Sequence, residues 1–430
     1  MVEMIQAIDR KHAPIPKDIG AIKIKEAIKT SLDNGIPVYS VNAGFQDLVR
    51  IELLFMNASY DPLMPIISSA ANRMLSEGST KHTAQQLAEM IDSYGAFYET
   101  DESSDSFSVI LFTLNKYLDQ TLPVLREILT DAVFPENELS VFKQNNIQRL
   151  AVQNEKVSVV SRKKFNEIIF GAKHPYGHST TSDDYEQLDR KSLQDFHKRN
   201  YNSNGCTVIA SGKVDDSSIG LLNKYFGKND WSSNKVVRES VPAIQPDPEK
   251  KHRVEKKGAV QSAIRIGKVL FNKAHPDYIP MTVLNTALGG YFGSRLMSNI
   301  REDKGYTYGI GSAVVSMKNS GCFFISTEVG VKVKELAVEE IYKEVEKLRK
   351  APLEDYELLM VKNFMIGSFL KSIDGAFQLA DRWKSLYIYG LDYEYYYRFL
   401  GTVRNIKPEE LMALAEKYLN PVDFYEVVAG

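Results

Sequence analysis

The chain repeats itself, and this repetition constrains its fold more than any other feature. Leu188-Asp189-Arg190-Lys191-Ser192-Leu193 leads into a helical pattern, then Tyr201, then an apolar run that closes at Gly212. A shift of 218 carries these landmarks onto Ile406 to Leu411 and Gly430, and Tyr418 answers Tyr201 at a shift of 217. Earlier, Leu53-Leu54-Phe55 matches Val269-Leu270-Phe271 at a shift of 216, and Asp92-Ser93-Tyr94-Gly95 matches Glu302-Asp303-Lys304-Gly305 at 210. Loop insertions between duplicated units produce such drifting offsets with a preserved order of elements. Chance similarity between two α+β segments is the weaker explanation.

Each half reads strand, long helix, turn, strand pair, long helix, helix pair and closing strand. Val109-Ile110-Leu111-Phe112 and Phe323-Phe324-Ile325-Ser326-Thr327 have strand character, while Leu122 to Leu129 and Leu336 to Val345 have helical spacing. The order predicts an α+β fold of two homologous domains. Each would be a mixed or antiparallel sheet with helices packed on one face. Three prolines and a charge run between Trp231 and Lys251, without hydrophobic period, read as a linker. The expected domains are therefore residues 1–230 and 251–430, joined by 231–250.

Composition excludes several functions. The 53 basic and 55 acidic residues leave a formal net charge of -2, which offers no footprint for nucleic acid or for an anionic membrane surface. Cys206 and Cys322 lie in apolar strand-like runs and read as buried thiols rather than a disulfide framework. Met1-Val2-Glu3-Met4-Ile5-Gln6 lacks the basic-then-apolar pattern of a signal peptide. No apolar run approaches the ~18–20 residues needed to span a bilayer. A cytoplasmic protein is the expectation.

Four segments then appear in a telling order. They are Met74-Leu75-Ser76-Glu77-Gly78, Leu87 to Gly95, Phe170-Gly171-Ala172-Lys173-His174-Pro175-Tyr176-Gly177, and Gly289-Gly290-Tyr291-Phe292-Gly293-Ser294-Arg295-Leu296 running on to Tyr308. Across nearly its whole length the chain resembles the pitrilysin/insulinase family of metallopeptidases, the inverted zincins, and most of all the subunits of its bacterial two-chain members. The resemblance implies half of a clamshell built from two domains. It also implies that a zinc-binding H-x-x-E-H helix should fall on Ser69-Ala70-Ala71-Asn72-Arg73. There the two imidazoles would share one helix face with the general-base glutamate between them. Serine and asparagine are poor zinc ligands and a permanent guanidinium repels the ion. The family's third ligand, a glutamate on a later helix, would fall near Asn145 and Asn146, and no Asp or Glu occurs from Leu139 to Asn154. Relatives also carry Asn-Ala on a substrate-pairing edge strand where this chain has Tyr98-Glu99.

The resemblance further assigns Arg301 and Tyr308 to a pair of donors aimed at the substrate carbonyl from the half opposite the zinc. A helix-ending arginine complementing the helix dipole and a packed tyrosine are the plain alternatives. Tyr306 is the neighbour most easily confused with Tyr308. The expected role is a non-catalytic subunit that binds no cofactor. A homologous partner would carry the zinc, the two would form a heterodimer, and unfolded peptides would be the substrate. A structural or peptide-binding scaffold subunit is the main rival. A self-sufficient hydrolase has little support, since no nucleophile elbow or carboxylate cluster is present.

Other suggestive patterns carry less. His174 and His178 are four apart, but Pro175 and Gly177 break helical geometry between them. Gly309-Ile310-Gly311-Ser312 opens a strand and lacks the third glycine of a dinucleotide loop. Asn57-Ala58-Ser59 matches a glycosylation acceptor without a secretory context. The tyrosine-rich runs at Leu386 to Tyr389 and Tyr393 to Tyr397 read as helix-packing surface.

Overall fold

A computed structural model of the chain describes residues 19–44, 46–56, 60–229, 231 and 241–430. Met1 to Gln6, Asn57-Ala58-Ser59 and residues 232–240 of the expected linker lie outside the described residues. In the first half the strands are β1 (Ile28–Ser31), β2 (Pro37–Asn42), β3 (Leu48–Met56), β4 (Phe97–Glu102), β5 (Ser106–Leu114) and β6 (Cys206–Gly212). The helices of this half are α1 (Ile67–Arg73), α2 (Ala84–Asp92), α3 (Leu118–Thr130), α4 (Glu136–Asn154), α5 (Val157–Phe170), α6 (Ser182–Glu186), α7 (Arg190–Asn200) and α8 (Asp216–Leu222). The second half contributes β7 (Lys251–Val254), β8 (Gln261–Leu270), β9 (Thr307–Met317), β10 (Ser320–Gly330) and β11 (Tyr425–Ala429). Its helices are α9 (Tyr278–Asn285), α10 (Lys334–Lys350), α11 (Asp355–Lys371), α12 (Ala376–Tyr389), α13 (Glu394–Asn405) and α14 (Pro408–Tyr418). No helix among the described residues is long and apolar enough to cross a membrane.

The sheets confirm the duplication in their wiring. The first runs β1-β2-β6-β3-β5-β4 and the second β7-β11-β8-β10-β9. Removing β1 leaves the same order, with one parallel pair in each (β2 with β6, β7 with β11) and antiparallel neighbours elsewhere. The closing glycines correspond as well. Gly212 and Gly430 both take positive φ, at 112° and 131°, and a side chain on either would collide with the carbonyl of Leu48 or Gln261 opposite.

Strand pairing corrects one detail of the sequence match. Ser211 pairs with Arg50, while its counterpart Ala429 pairs with Ala263, so β3 and β8 correspond at a shift of 213. Leu53-Leu54-Phe55 therefore answers Ile266-Gly267-Lys268, not Val269-Leu270-Phe271. Apolar content at both sites disguised the three-residue slip.

Within each half, helices cover one face of the sheet as expected. The alternation along β3 shows which face: Val49, Ile51, Leu53 and Phe55 enter a core with α1, α2, α3 and α7. The residues between them, Arg50, Glu52 and Leu54, are also buried. They meet a helix from the other half. α12 lies across β2 and β6, where Leu379, Ala380 and Leu386 pack with Val41, Leu54 and Ile209. In return α5 lies across β8 and β11, where Phe165, Ile168 and Ile169 pack with Cys322, Tyr425 and Val427. Each sheet thus borrows the helix on its second face. Part of the 231–250 segment is docked onto this junction: Gln245 N donates to Phe170 O, Asp247 N donates to Ile168 O, and Tyr425 Oη donates to Asp247 O.

Candidate functional site

Local chemistry builds α1 into the wall of the first sheet. Asn72 is fully buried, and all its hydrogen-bonding capacity faces protein. Its Nδ2 donates to Asp101 O at 3.0 Å and Ser108 O at 3.3 Å, and its Oδ1 accepts from Tyr201 Oη at 2.9 Å. The same helix presents Ser69 and Arg73, one turn apart, to a single carboxylate on the edge strand β4. Ser69 Oγ donates to Glu102 Oε1 at 2.8 Å, and Arg73 donates to it through Nε at 2.8 Å and through its terminal nitrogen at 2.5 Å. The position where the resemblance expects a dication is thus served by a guanidinium tied to its own counter-charge. This donor set does not suit Zn²⁺, because its only anion is already engaged by a fixed cation.

Glu102 was not legible as part of this cluster, since it lies 29 positions from Arg73 and on another element. On α4, Asn146 is buried and turns its amide back to Phe142 O at 2.8 Å, while Asn145 is exposed. Neither bonds to α1. Arg149, further along the same helix, is the α4 residue whose charge reaches Tyr185 together with those of Arg73 and Glu102. Burial is the main cause of that tyrosine's upward shift.

The two histidines of the Pro/Gly loop have separate structural tasks. His174 is buried between Phe170 and Tyr176, and its Nδ1 accepts from Tyr176 N at 3.1 Å. His178 pairs with Asp184 at 2.9 Å. Cys206 and Cys322 are buried free thiols, and burial pushes both well up from the ordinary thiol range.

The second half presents a different edge. A π-helical segment, Met297–Asp303, carries Arg301, and the chain reverses at Gly305, whose φ of 66° repeats the 59° of Gly95 at the matching turn. Arg301 lies over the ring of Phe292, 4.9 Å from its centre, and makes no ion pair among the described residues. Arg295 does: it grips Glu357 of α11 with two bonds of 2.8 and 2.9 Å, a structural clamp. Tyr306 is half-buried against the second core, so it is occupied with packing.

Counting three residues on from each turn glycine reaches Tyr98 in β4 and Tyr308 in β9. The ladders separate them. Tyr98 pairs with Leu111 in regular register, its hydroxyl is buried, and burial pushes its ionisation far up. In β9, Thr307 pairs with Val329 and Ile310 with Thr327, so Tyr308 and Gly309 together face the single residue Glu328. This is a β-bulge, a device that bends an edge and re-aims a side chain. Thr307 Oγ1 pins it, with contacts to Glu328 O at 2.7 Å and Gly309 O at 3.0 Å. Tyr308 stands 92% exposed. It lines a cleft of about 420 Å³ with Ser158 and Ser161 of α5, Arg265 of β8 and Glu328 of β10. Burial lowers Arg265 to about 10, and its guanidinium lies 4.1 Å from the Phe324 ring centre. Arg301 does not line this cleft, so the structure brings Tyr308 and Arg301 onto neighbouring elements without a shared contact.

Comparison with known proteins bears on family and fold. Residues 67–182 match the family model described as insulinase (peptidase family M16), and residues 187–365 match the one described as peptidase M16 inactive domain. A Bacillus subtilis (strain 168) protein described as uncharacterized zinc protease YmxG is 23% identical over 310 residues, covering 72% of this chain and 74% of its own. The Helicobacter pylori (strain ATCC 700392 / 26695) protein described as non-peptidase homolog YmxG is 22% identical over 302 residues, covering 69% and 68%. The crystal structure of a peptidase M16 inactive domain from Pseudomonas fluorescens superposes with a TM-score of 0.84 at 20% identity, covering 94% of this chain and 98% of that one. That last likeness establishes the fold alone.

Proposed function

The chain belongs to the insulinase (M16) family of peptidases, and from that premise we propose that it is inactive by itself and is the non-catalytic subunit of a two-chain zinc peptidase. In this reading it binds no cofactor. A homologous partner carries an intact H-x-x-E-H helix and with it the metal chemistry. This chain offers donors to the scissile carbonyl, and unfolded peptides are the substrate. The carrying observation is the exposed Tyr308 on a bulged, open-edged strand beside a cleft.

The chemistry follows from charge. Water attack on a peptide bond places negative charge on the carbonyl oxygen, and donors already in position lower that barrier. Tyr308 offers a phenolic O–H, and Arg301 offers a cationic fork that meets no carboxylate among the described residues. The open side of β9 adds backbone groups on which an extended peptide can pair as one more strand.

The test mixes this chain with a zinc-bearing homologue encoded by the same genome and follows cleavage of an unstructured peptide. Tyr308→Phe and Arg301→Ala should each lower kcat/KM by about 10²–10³, with thermal stability unchanged. Cleavage indifferent to the addition of this chain would overturn the reading. Full activity of both variants in an intact complex would instead favour a scaffold subunit.

A further inference from the structure

Away from that edge, α9, α11, α12 and α13 border an open pocket of about 280 Å³. Its walls combine two cations, Lys273 and Arg382, with the rings of Tyr278, Phe364, Phe369 and Phe399. Neither cation meets a carboxylate among the described residues. Lys273 Nζ donates to Ser385 Oγ at 2.6 Å and lies 4.7 Å from the Tyr389 ring centre, while Arg382 Nε reaches Ser372 O at 3.4 Å. Burial first, and then the Arg382 charge, lower Lys273 to about 8. Elsewhere the withdrawn cations Arg50, Lys384 and Arg295 each meet an acid (Glu52 and Asp381, Glu52 and Asp101, and Glu357), while Arg265 rests against the Phe165 and Phe324 rings.

Drawing a lysine into an aromatic wall beside a second cation, with no carboxylate among the described residues to meet either, is unfavourable unless an anion completes the set. We propose that this pocket binds a small amphipathic monoanion, a carboxylate held by Lys273 and Arg382 with an aromatic or short aliphatic body against Phe364, Phe369 and Phe399. Charge-assisted hydrogen bonds fix the carboxylate. The volume falls just below the usual range of ligand cavities, about 300 Å³ upward. It suits one ring with a short acidic tail and excludes a nucleotide. The site shares no residue with the Tyr308 cleft.

Calorimetric titration of the full chain with 4-phenylbutyrate, and with its neutral amide, tests the assignment. Saturable binding of the acid is expected, with the amide weaker by about tenfold or more, the usual worth of a charged hydrogen bond. Lys273→Met and Arg382→Gln should each weaken the acid to a similar degree and leave the amide unchanged. A readout that needs no variant is acetylation of the unmodified protein followed by mass spectrometry. There 4-phenylbutyrate should slow modification of Lys273 and not of the exposed Lys332. Equal affinity for acid and amide, absence of binding, or unprotected Lys273 would each overturn the proposal.

Discussion

At the scale of single residues, Asn72, where the resemblance would place a general-base glutamate, is given over to structure. Asn72→Ala would orphan the buried Tyr201 hydroxyl and remove two donations to strand carbonyls, a loss of about 1–3 kcal/mol. Tyr201→Phe removes one bond of the same network, so chemical denaturation of the double variant should show less than the sum of the two losses. Strict additivity would mean that the bond contributes nothing. Histidine protonation gives a second prediction at this scale. Burial holds both His174 and His197 below the ordinary imidazole value, so the unfolded chain takes up protons that the folded chain refuses. Their contribution is complete above about pH 6.5 and is lost as pH falls from there towards the lowered folded values. Denaturation across a pH series should show stability dropping on acidification. A shallower slope is expected in His197→Gln, and an unchanged slope would refute the assignment. The residues themselves show what was legible. Ser69, Asn72 and Arg73 are read off the sequence directly, at the positions where the resemblance expects two ligands and a general base. Their new partners Glu102 and Tyr201 do not, because Tyr201 lies 129 positions from Asn72 and only the sheet brings them together.

At the scale of elements, the cross-packed helices depend on charge as well as apolar area. Glu52 is buried in the middle of β3, and α12 answers it: Lys384 Nζ lies 2.6 Å from Glu52 and 2.8 Å from Asp101, while Asp381 takes Arg50 at 2.6 Å. Lys384→Met would leave the Glu52 carboxylate with Arg50 alone, and breaking a buried pair typically costs about 3–5 kcal/mol. Lys384→Arg, which keeps the charge, should retain most of that. Equal stability of the methionine variant would show that the helix docks through its apolar contacts only. The run Leu386 to Tyr389 reads in sequence as helix-packing surface, but the sheet that α12 covers was not legible, since an apolar stripe carries no address. The bulge at Tyr308 was equally invisible. Counting from the turn glycine treats Tyr98 and Tyr308 as equivalents, and one added residue against Glu328 gives them opposite surroundings.

At the scale of the whole molecule, duplication was the most legible property, because landmark residues survive at nearly constant offsets. The exchange of α5 and α12 between the two sheets was not, since each half is complete as a list of elements. Residues 241–430 made alone would leave the α5-facing side of β8 and β11 open to water, and low solubility is expected unless residues 1–231 are supplied. Full solubility and native-like circular dichroism of the isolated piece would contradict this. Calorimetry of the full chain should give one heat-absorption peak, whereas two resolved peaks would mean that the halves melt independently. The crossed helices also bear on a backbone cut anywhere in 232–240. The two fragments should elute together until denaturant is added, since each clasps the other from beneath.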